Sequence, residues 1–230
     1  MFNPTRPHHQ PVMSLLNSLS VELLESTACY FGVGTRIVLE LGEYRESLDV
    51  DFLCANQDGY RELRNQVSTN SLGDLFVHQP TLLHEVRADM YGIRTFLEVD
   101  AQPVKFEIIR EARIPLEGIN NIDLVVPSLD HSTCVAEKFL ANTDRGLDIS
   151  TRSRDLIDLA FMAGSWTDAE IASGLKLAEA AYGASVLKLL ASTTELFKDD
   201  FRKQCLTELE VRNKRTLETG LVKLAGLLKN

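Results

Sequence analysis

The sequence predicts an α+β protein: a mixed sheet with flanking helices in the first half, followed by an α-helical C-terminal region. Leu48-Asp49-Val50-Asp51-Phe52 and Val104-Lys105-Phe106-Glu107-Ile108 alternate apolar and polar residues. That period of two marks half-buried strands. Beyond Val126-Pro127-Ser128, apolar residues instead recur three and four apart as far as Asn230, the period of helices. The change of pattern divides the chain into an α/β domain over 1–126 and a helical domain over 127–230.

Residues 1–12 hold three of the prolines and read as an irregular, flexible arm. Leu15, Leu16, Leu19, Val21, Leu23 and Leu24 give loose helical spacing from Met13 to about Tyr30, with Gly32-Val33-Gly34-Thr35 as the break. Arg36 to Leu41 suits either a strand or one turn of helix on a sheet, and Gly42 to Arg45 a turn. In the 48–52 strand, Leu48, Val50 and Phe52 share the inner face and Asp49 and Asp51 the outer one. A helix is expected over Gly59–Val67, a loop or short strand over Ser71–Val77, and strands over 82–87 and 91–98. Asp100-Ala101-Gln102-Pro103 is a turn, and the 104–108 strand follows it. The helices are expected near 130–143, 151–163, 167–180, 183–197 and 200–229.

The chain has 230 residues, 44% of them hydrophobic, enough to bury a sizeable core. Its net charge of -9 excludes a protein that coats nucleic acid non-specifically. Cys29, Cys54, Cys134 and Cys205 match neither zinc spacings nor a redox pair, so they read as reduced thiols of a reducing compartment. The N-terminus lacks the apolar run of a signal peptide, and no window is long and apolar enough to span a membrane. The expected location is the cytoplasm, with no membrane partner. His8-His9 lies on the proline-rich arm and is read as solvated. Trp166 and Tyr182 read as core residues.

Two carboxylates at i and i+2 of a strand stand on one face, roughly 6.5–7 Å apart. Such a pair suits a hard divalent cation, or two cations ~3.5–4 Å apart. Glu107, on the polar face of a second strand, is the natural third acid. Asp49 and Asp51 alone also fit a merely solvated strand face, although aspartate is depleted in strands. Gly34 suits either a helix C-terminus or a turn whose N–H groups meet phosphate. Lys138, among Val135, Phe139 and Leu140, suits either a phosphate contact or a snorkelling surface lysine. Asp155 and Asp158 share a helix face, either in a site or in an exposed ion-pair cluster.

Taken together, these residues resemble a known family. Val33-Gly34-Thr35-Arg36-Ile37-Val38-Leu39, followed by Arg45-x-Ser47-x-Asp49-x-Asp51-Phe52, resembles the opening motif of the AbiEii/AbiGii-type nucleotidyltransferases. These belong to the DNA polymerase β-like superfamily. Val135 to Ala141, with Lys138, resembles the helix of the family's motif lysine. Arg145 and Arg152 to Leu159 resemble its Arg…(Lys/Arg)-Asp-x-x-Asp-Leu stretch. The resemblance covers about 25–165. Val33 stands where the family has its first glycine, Arg36 where it has a small residue, and the spacer to Arg45 is one residue longer.

The resemblance implies a nucleotidyltransferase-like sheet and transfer of an NMP from an NTP, with release of pyrophosphate. Asp49, Asp51 and Glu107 would hold Mg²⁺, and Glu107 would also help to deprotonate the acceptor. Gly34, Thr35 and Ser47 would contact the β- and γ-phosphates. Lys138 would neutralise the triphosphate, Asp155 would support the acceptor or the lysine, and Arg45 would fix the motif loop or contact phosphate. Asp158 would orient Lys138 or Arg145. The implied acceptor is a tRNA or a protein, met by a local surface of Arg145, Arg152 and Arg154. The implied setting is the toxin of a toxin–antitoxin or phage-defence pair, with a cognate antitoxin. The alternatives are transfer to a small molecule such as an antibiotic, and a non-catalytic nucleotide- or partner-binding homologue.

Overall fold

A computed structural model describes residues 2–120 and 123–229. The chain forms two compact units, residues 1–39 with 47–130, and residues 40–46 with 131–230. The division therefore falls after Asp130, four residues beyond the position expected from the change of pattern. The short segment 40–46 belongs to the helical unit, although it lies far from it in sequence.

The first unit is built on one mixed sheet. Its strands are β1 (Cys29–Gly32), β2 (Val50–Cys54), β3 (Thr81–Leu82), β4 (Arg87–Ala88), β5 (Gly92–Val99), β6 (Gln102–Arg110), β7 (Gly118–Asn120) and β8 (Pro127–Leu129). The spatial order is β3-β5-β6-β2-β1-β8-β7, with β4 paired to β5. β2 runs parallel to β6 and antiparallel to β1. β5 and β6 form a hairpin whose turn residues, Asp100 and Ala101, both have positive φ (50° and 59°). That is the geometry of a two-residue turn matched to the twist of the strands.

Alternation does what the sequence predicts along β2 and β6. Val50 and Phe52 are buried beneath the sheet with Val104, Phe106 and Ile108. Phe52 lies 5.5 Å from Phe31 and 6.1 Å from Phe106, ring centre to ring centre. Full burial of each such ring stabilises by roughly 1.5–3 kcal/mol. Leu48 departs from the pattern. It precedes the strand and is 38% exposed, so it adds nothing to this face.

The N-terminal segment also corrects the sequence reading. The proline-rich arm is helical over Pro7–His9 and runs into α1 (Gln10–Asn17), where Pro11 occupies the first turn. A proline there sacrifices no helical hydrogen bond. α1 buries Val12, Met13, Leu15 and Leu16 in the core of this unit. The single helix expected from Met13 to Tyr30 is interrupted by Ser20, whose hydroxyl caps α2 (Val21–Ser26) by accepting from Leu23 N–H. Ala28, at φ 50°, turns the chain into β1. α3 (Gly34–Glu40) follows β1, which resolves the ambiguity over Arg36–Leu41 in favour of helix. α4 (Gln57–Gln66) lies close to its expected position.

The second unit contains α5 (His131–Arg145), α6 (Arg154–Ser165), α7 (Asp168–Tyr182), α8 (Ser185–Leu196), α9 (Asp199–Glu208) and α10 (Lys214–Leu227). The run expected over 200–229 is thus two helices, divided where Asn213 caps the start of α10. α6 and α10 cross in backbone contact: a Cβ built on Gly220 would stand 1.7 Å from the carbonyl oxygen of Ala160. Among the described residues no helix is long and apolar enough to cross a membrane. All four cysteines are buried thiols outside any disulfide.

Candidate active site

β2 and β6 bring Asp51 and Glu107 together. They are directly opposed in the parallel register, and opposed residues on neighbouring strands project to the same side. Gly32 is the register partner of Asp51 on β1, and the place a Cβ would take there is filled by the side chains of Leu129 and Leu53. Asp49 lies one residue before β2. A network around α3 fixes its position. Thr35 is buried, and its hydroxyl donates to the Asp49 carbonyl at 2.5 Å. With its one proton used there, it accepts from the Ser47 hydroxyl at 2.8 Å. The Ser47 N–H in turn donates to Nε2 of His9, which is fully buried. Thr35 therefore sets the position of the 47–49 segment, and His9, read from sequence as part of a solvated arm, supports it. Arg36 is fully buried where the family has a small residue.

The carboxylate of Glu107 is bound by two cations. Lys105 Nζ donates to Oε2 at 2.5 Å and Arg94 Nε lies 3.2 Å from Oε1. Burial weakens the hold of Lys105 on its proton. The hydrogen bond and charge of Glu107 outweigh that, aided by the charges of Asp51 and Asp49, so its pKa stands above the ordinary lysine value. A positive charge thus already sits in the combined field of Asp49, Asp51 and Glu107. Hard carboxylate oxygens around such a point are a donor set suited to Mg²⁺. Among the described residues no three His, Cys, Asp or Glu side chains are gathered closely enough to form a ready-made metal cage.

Lys138, Asp155, Arg45 and Asp158 come together in the second unit. The side chain of Asp158 is fully buried. It accepts from Tyr44 Oη at 2.6 Å, from Arg45 Nε and Nη2 at 2.7 and 2.8 Å, and faces Lys138 Nζ at 2.6 Å. Asp155 accepts from Lys138 at 2.9 Å and from Arg145 Nε at 2.7 Å. Burial alone would raise both aspartates. The Lys138 and Arg145 cations hold Asp155 well below the usual carboxylate range, and Arg45 and Lys138 lower Asp158. Burial and the neighbouring Asp158 push the Tyr44 phenol up, and its ring stacks on Phe161 at 3.8 Å.

These contacts decide several open readings. Asp158 binds Lys138, and Arg145 binds Asp155. Arg45 fixes its own loop through a two-pronged ion pair. Lys138 is neither snorkelling nor solvated: its side chain is 5% exposed and its ammonium bridges two carboxylates. The local surface expected from Arg145, Arg152 and Arg154 is reduced, because Arg145 binds Asp155 and Arg152 binds Glu208. Trp166 is buried as expected, and it stacks on His131 at 4.0 Å. The role of Tyr44 was not read from sequence; its place beside Arg45 in the motif loop was the available signal.

Residues 15–218 match the family described as nucleotidyl transferase AbiEii toxin of type IV toxin–antitoxin systems. No curated protein matches. Two solved structures share the fold. A candidate nucleotidyltransferase from H. pylori is 19% identical, covers 96% of this chain and 93% of its own, and superposes with a TM-score of 0.54. JHP933 from Helicobacter pylori is 17% identical, covers 96% and 92%, and has a TM-score of 0.50.

Proposed function

The chain belongs to the AbiEii nucleotidyl transferase toxin family, and from that premise we propose a Mg²⁺-dependent transfer of an NMP from an NTP to a macromolecular acceptor. The observation that carries this is the opposition of Asp51 and Glu107 on β2 and β6. In this reading Asp49, Asp51 and Glu107 hold the metal. Bound there, Mg²⁺ would supply charge stabilisation for the triphosphate.

The chain's own residues do the rest. Thr35 fixes Asp49 through its carbonyl, and Ser47 and the Gly34 backbone face the β- and γ-phosphates. The acceptor hydroxyl oxygen attacks the α-phosphorus, the bond to the bridging oxygen breaks, pyrophosphate leaves, and the hydroxyl proton passes to Glu107. Lys105 releases Glu107 for this role. Asp155 supports Lys138, and with Arg45 and Asp158 the two hold the second unit's buried network. As a member of a toxin family, the chain is assigned a cognate antitoxin as partner.

The test incubates the purified chain with Mg²⁺ and each α-labelled NTP, offering total tRNA, protein or small alcohols in separate reactions. Label passing to RNA or protein, with pyrophosphate released, is the expected result. Calorimetry that detects no metal-dependent binding of any NTP would remove the enzymatic reading.

A further inference from the structure

His9 reaches the candidate site from outside the motif. It closes the helical turn Pro7–His9 and leads into α1. Val12 and Leu16 of α1 are fully buried in the core, and the Ser14 hydroxyl donates to Asp100 at 2.6 Å. The imidazole is therefore carried on a fixed mount. His9 stands at the N-cap of α1, yet its side chain makes no capping hydrogen bond to that helix. The ring is turned to the Glu46–Ser47 peptide instead, where Nε2 accepts the Ser47 N–H at 3.2 Å. A ring nitrogen that accepts carries no proton, so this is the neutral tautomer with its proton on Nδ1. The carbonyl of the same peptide accepts from Arg45 Nη1 at 2.8 Å. Both polar atoms of one peptide group are thus bound, and it cannot turn over without losing both bonds.

The use of such a hold lies a few bonds away. The Ser47 hydroxyl donates to Thr35 Oγ1 at 2.8 Å. To reach a phosphate oxygen it needs only a turn about Cα–Cβ, from one staggered position to another. That turn delivers the proton to a defined place only while the Ser47 backbone stays still. Asp49, two residues on, has its own anchor in the Thr35 hydroxyl. The work is divided: Thr35 fixes Asp49, and His9 fixes Ser47. Packing alone does not account for an imidazole here. A leucine would fill the space without bringing polar atoms that need partners in the interior.

We propose that His9 is a positioning residue for the nucleotide. It holds the Ser47 backbone while the Ser47 hydroxyl exchanges Thr35 for an oxygen of the β- or γ-phosphate. It acts through Ser47 and not on the substrate. The role rests on the nucleotidyl-transfer reading for its purpose, but the hold on Ser47 can be measured without any nucleotide.

The experiment compares His9→Leu, which removes the acceptor, with His9→Gln, whose amide oxygen reaches to about where Nε2 lies. His8→Leu, at an exposed neighbour, is the control. Hydrogen exchange of the Ser47 amide is followed first, in the nucleotide-free protein. His9→Leu should speed it at least about tenfold, with His9→Gln and the control close to wild type. Calorimetry then measures each of the four NTPs with Mg²⁺, and steady-state transfer gives kcat and KM. His9→Leu should weaken binding of the tightest NTP about tenfold and raise its KM alike, with kcat within about threefold. His9→Gln should recover most of that loss. In a Ser47→Ala background His9→Leu should add less than about twofold, since the hydroxyl it serves is gone. If His9→Leu does not fold, His9→Asn, whose amide stops short of Nε2, replaces it under the same expectations. The proposal is overturned if the variant without the acceptor binds NTP as the wild type does, or if His9→Gln is as weak as that variant. It is also overturned if kcat falls while KM stays, or if the full loss persists in Ser47→Ala. Faster Ser47 exchange in His9→Leu, with no NTP bound by any form, would keep the hold of His9 on Ser47 and remove the nucleotidyl-transfer reading.

Discussion

Asp51 and Glu107 stand directly opposite each other on adjacent parallel strands, 56 positions apart in the sequence. Two carboxylates so placed repel unless a cation lies between or beside them. Here Lys105 and Arg94 supply that charge. The lysine is therefore a competitor for whatever cation the acids bind in the working state. Replacing Lys105 with Met should tighten binding of Mn²⁺ alone several-fold in calorimetry. Unchanged or weaker binding would show that the ammonium does not occupy the cation position.

Thr35 tests the positioning of Asp49. Thr35→Val keeps the shape but removes the donor to the Asp49 carbonyl and the acceptor for Ser47. Loss of a buried hydrogen bond costs on the order of 1–3 kcal/mol, so a modest fall in Tm is expected. The larger effect should be on kcat, down roughly tenfold as Asp49 loses its fixed place, with KM for NTP changed little. A kcat within twofold of wild type would contradict the positioning role.

The second unit makes a stability prediction. Lys138→Met leaves Asp155 and Asp158 facing each other's charge without their shared cation. Breaking a buried pair in this way costs about 3–5 kcal/mol, or on the order of 10 °C in Tm for a chain of this size. Thermal denaturation followed by circular dichroism checks it, and a shift under two degrees would mean that the network contributes little.

The same network sets the acid limb of stability. Asp155 and Asp158 have folded pKa values below those of the unfolded chain, where aspartate titrates near 3.9. Their stabilisation is complete above that value. It is lost as the pH falls below about 4, because the unfolded chain then binds protons that the folded chain does not. Asp158→Asn should be less stable at neutral pH and lose less on acidification. Urea midpoints measured between pH 7 and 3 decide this; parallel wild-type and variant curves would contradict it.

What the sequence made legible follows from range. Alternation identified β2 and β6, and with them Asp51 and Glu107, because strand period is a local property. The carboxylate face was visible for the same reason. The pairing of Arg45 with Asp158 spans 113 positions, and no local pattern contains it. Helical spacing from Met13 to Tyr30 concealed two breaks, since Ser20 and Ala28 interrupt the backbone without interrupting the run of apolar residues. The proline-rich arm misled by composition: Pro11 at a helix start is favourable, and His9 is a buried acceptor rather than a solvated imidazole.

The most direct measurement is transfer of label from an α-labelled NTP by Asp51→Asn against wild type, each checked for fold by circular dichroism. Asparagine keeps the shape of the side chain and removes its charge. The account predicts a loss of transfer of at least about a hundredfold with an unchanged spectrum. Transfer within a few-fold of wild type would contradict the assignment of the β2–β6 carboxylate face as the catalytic centre.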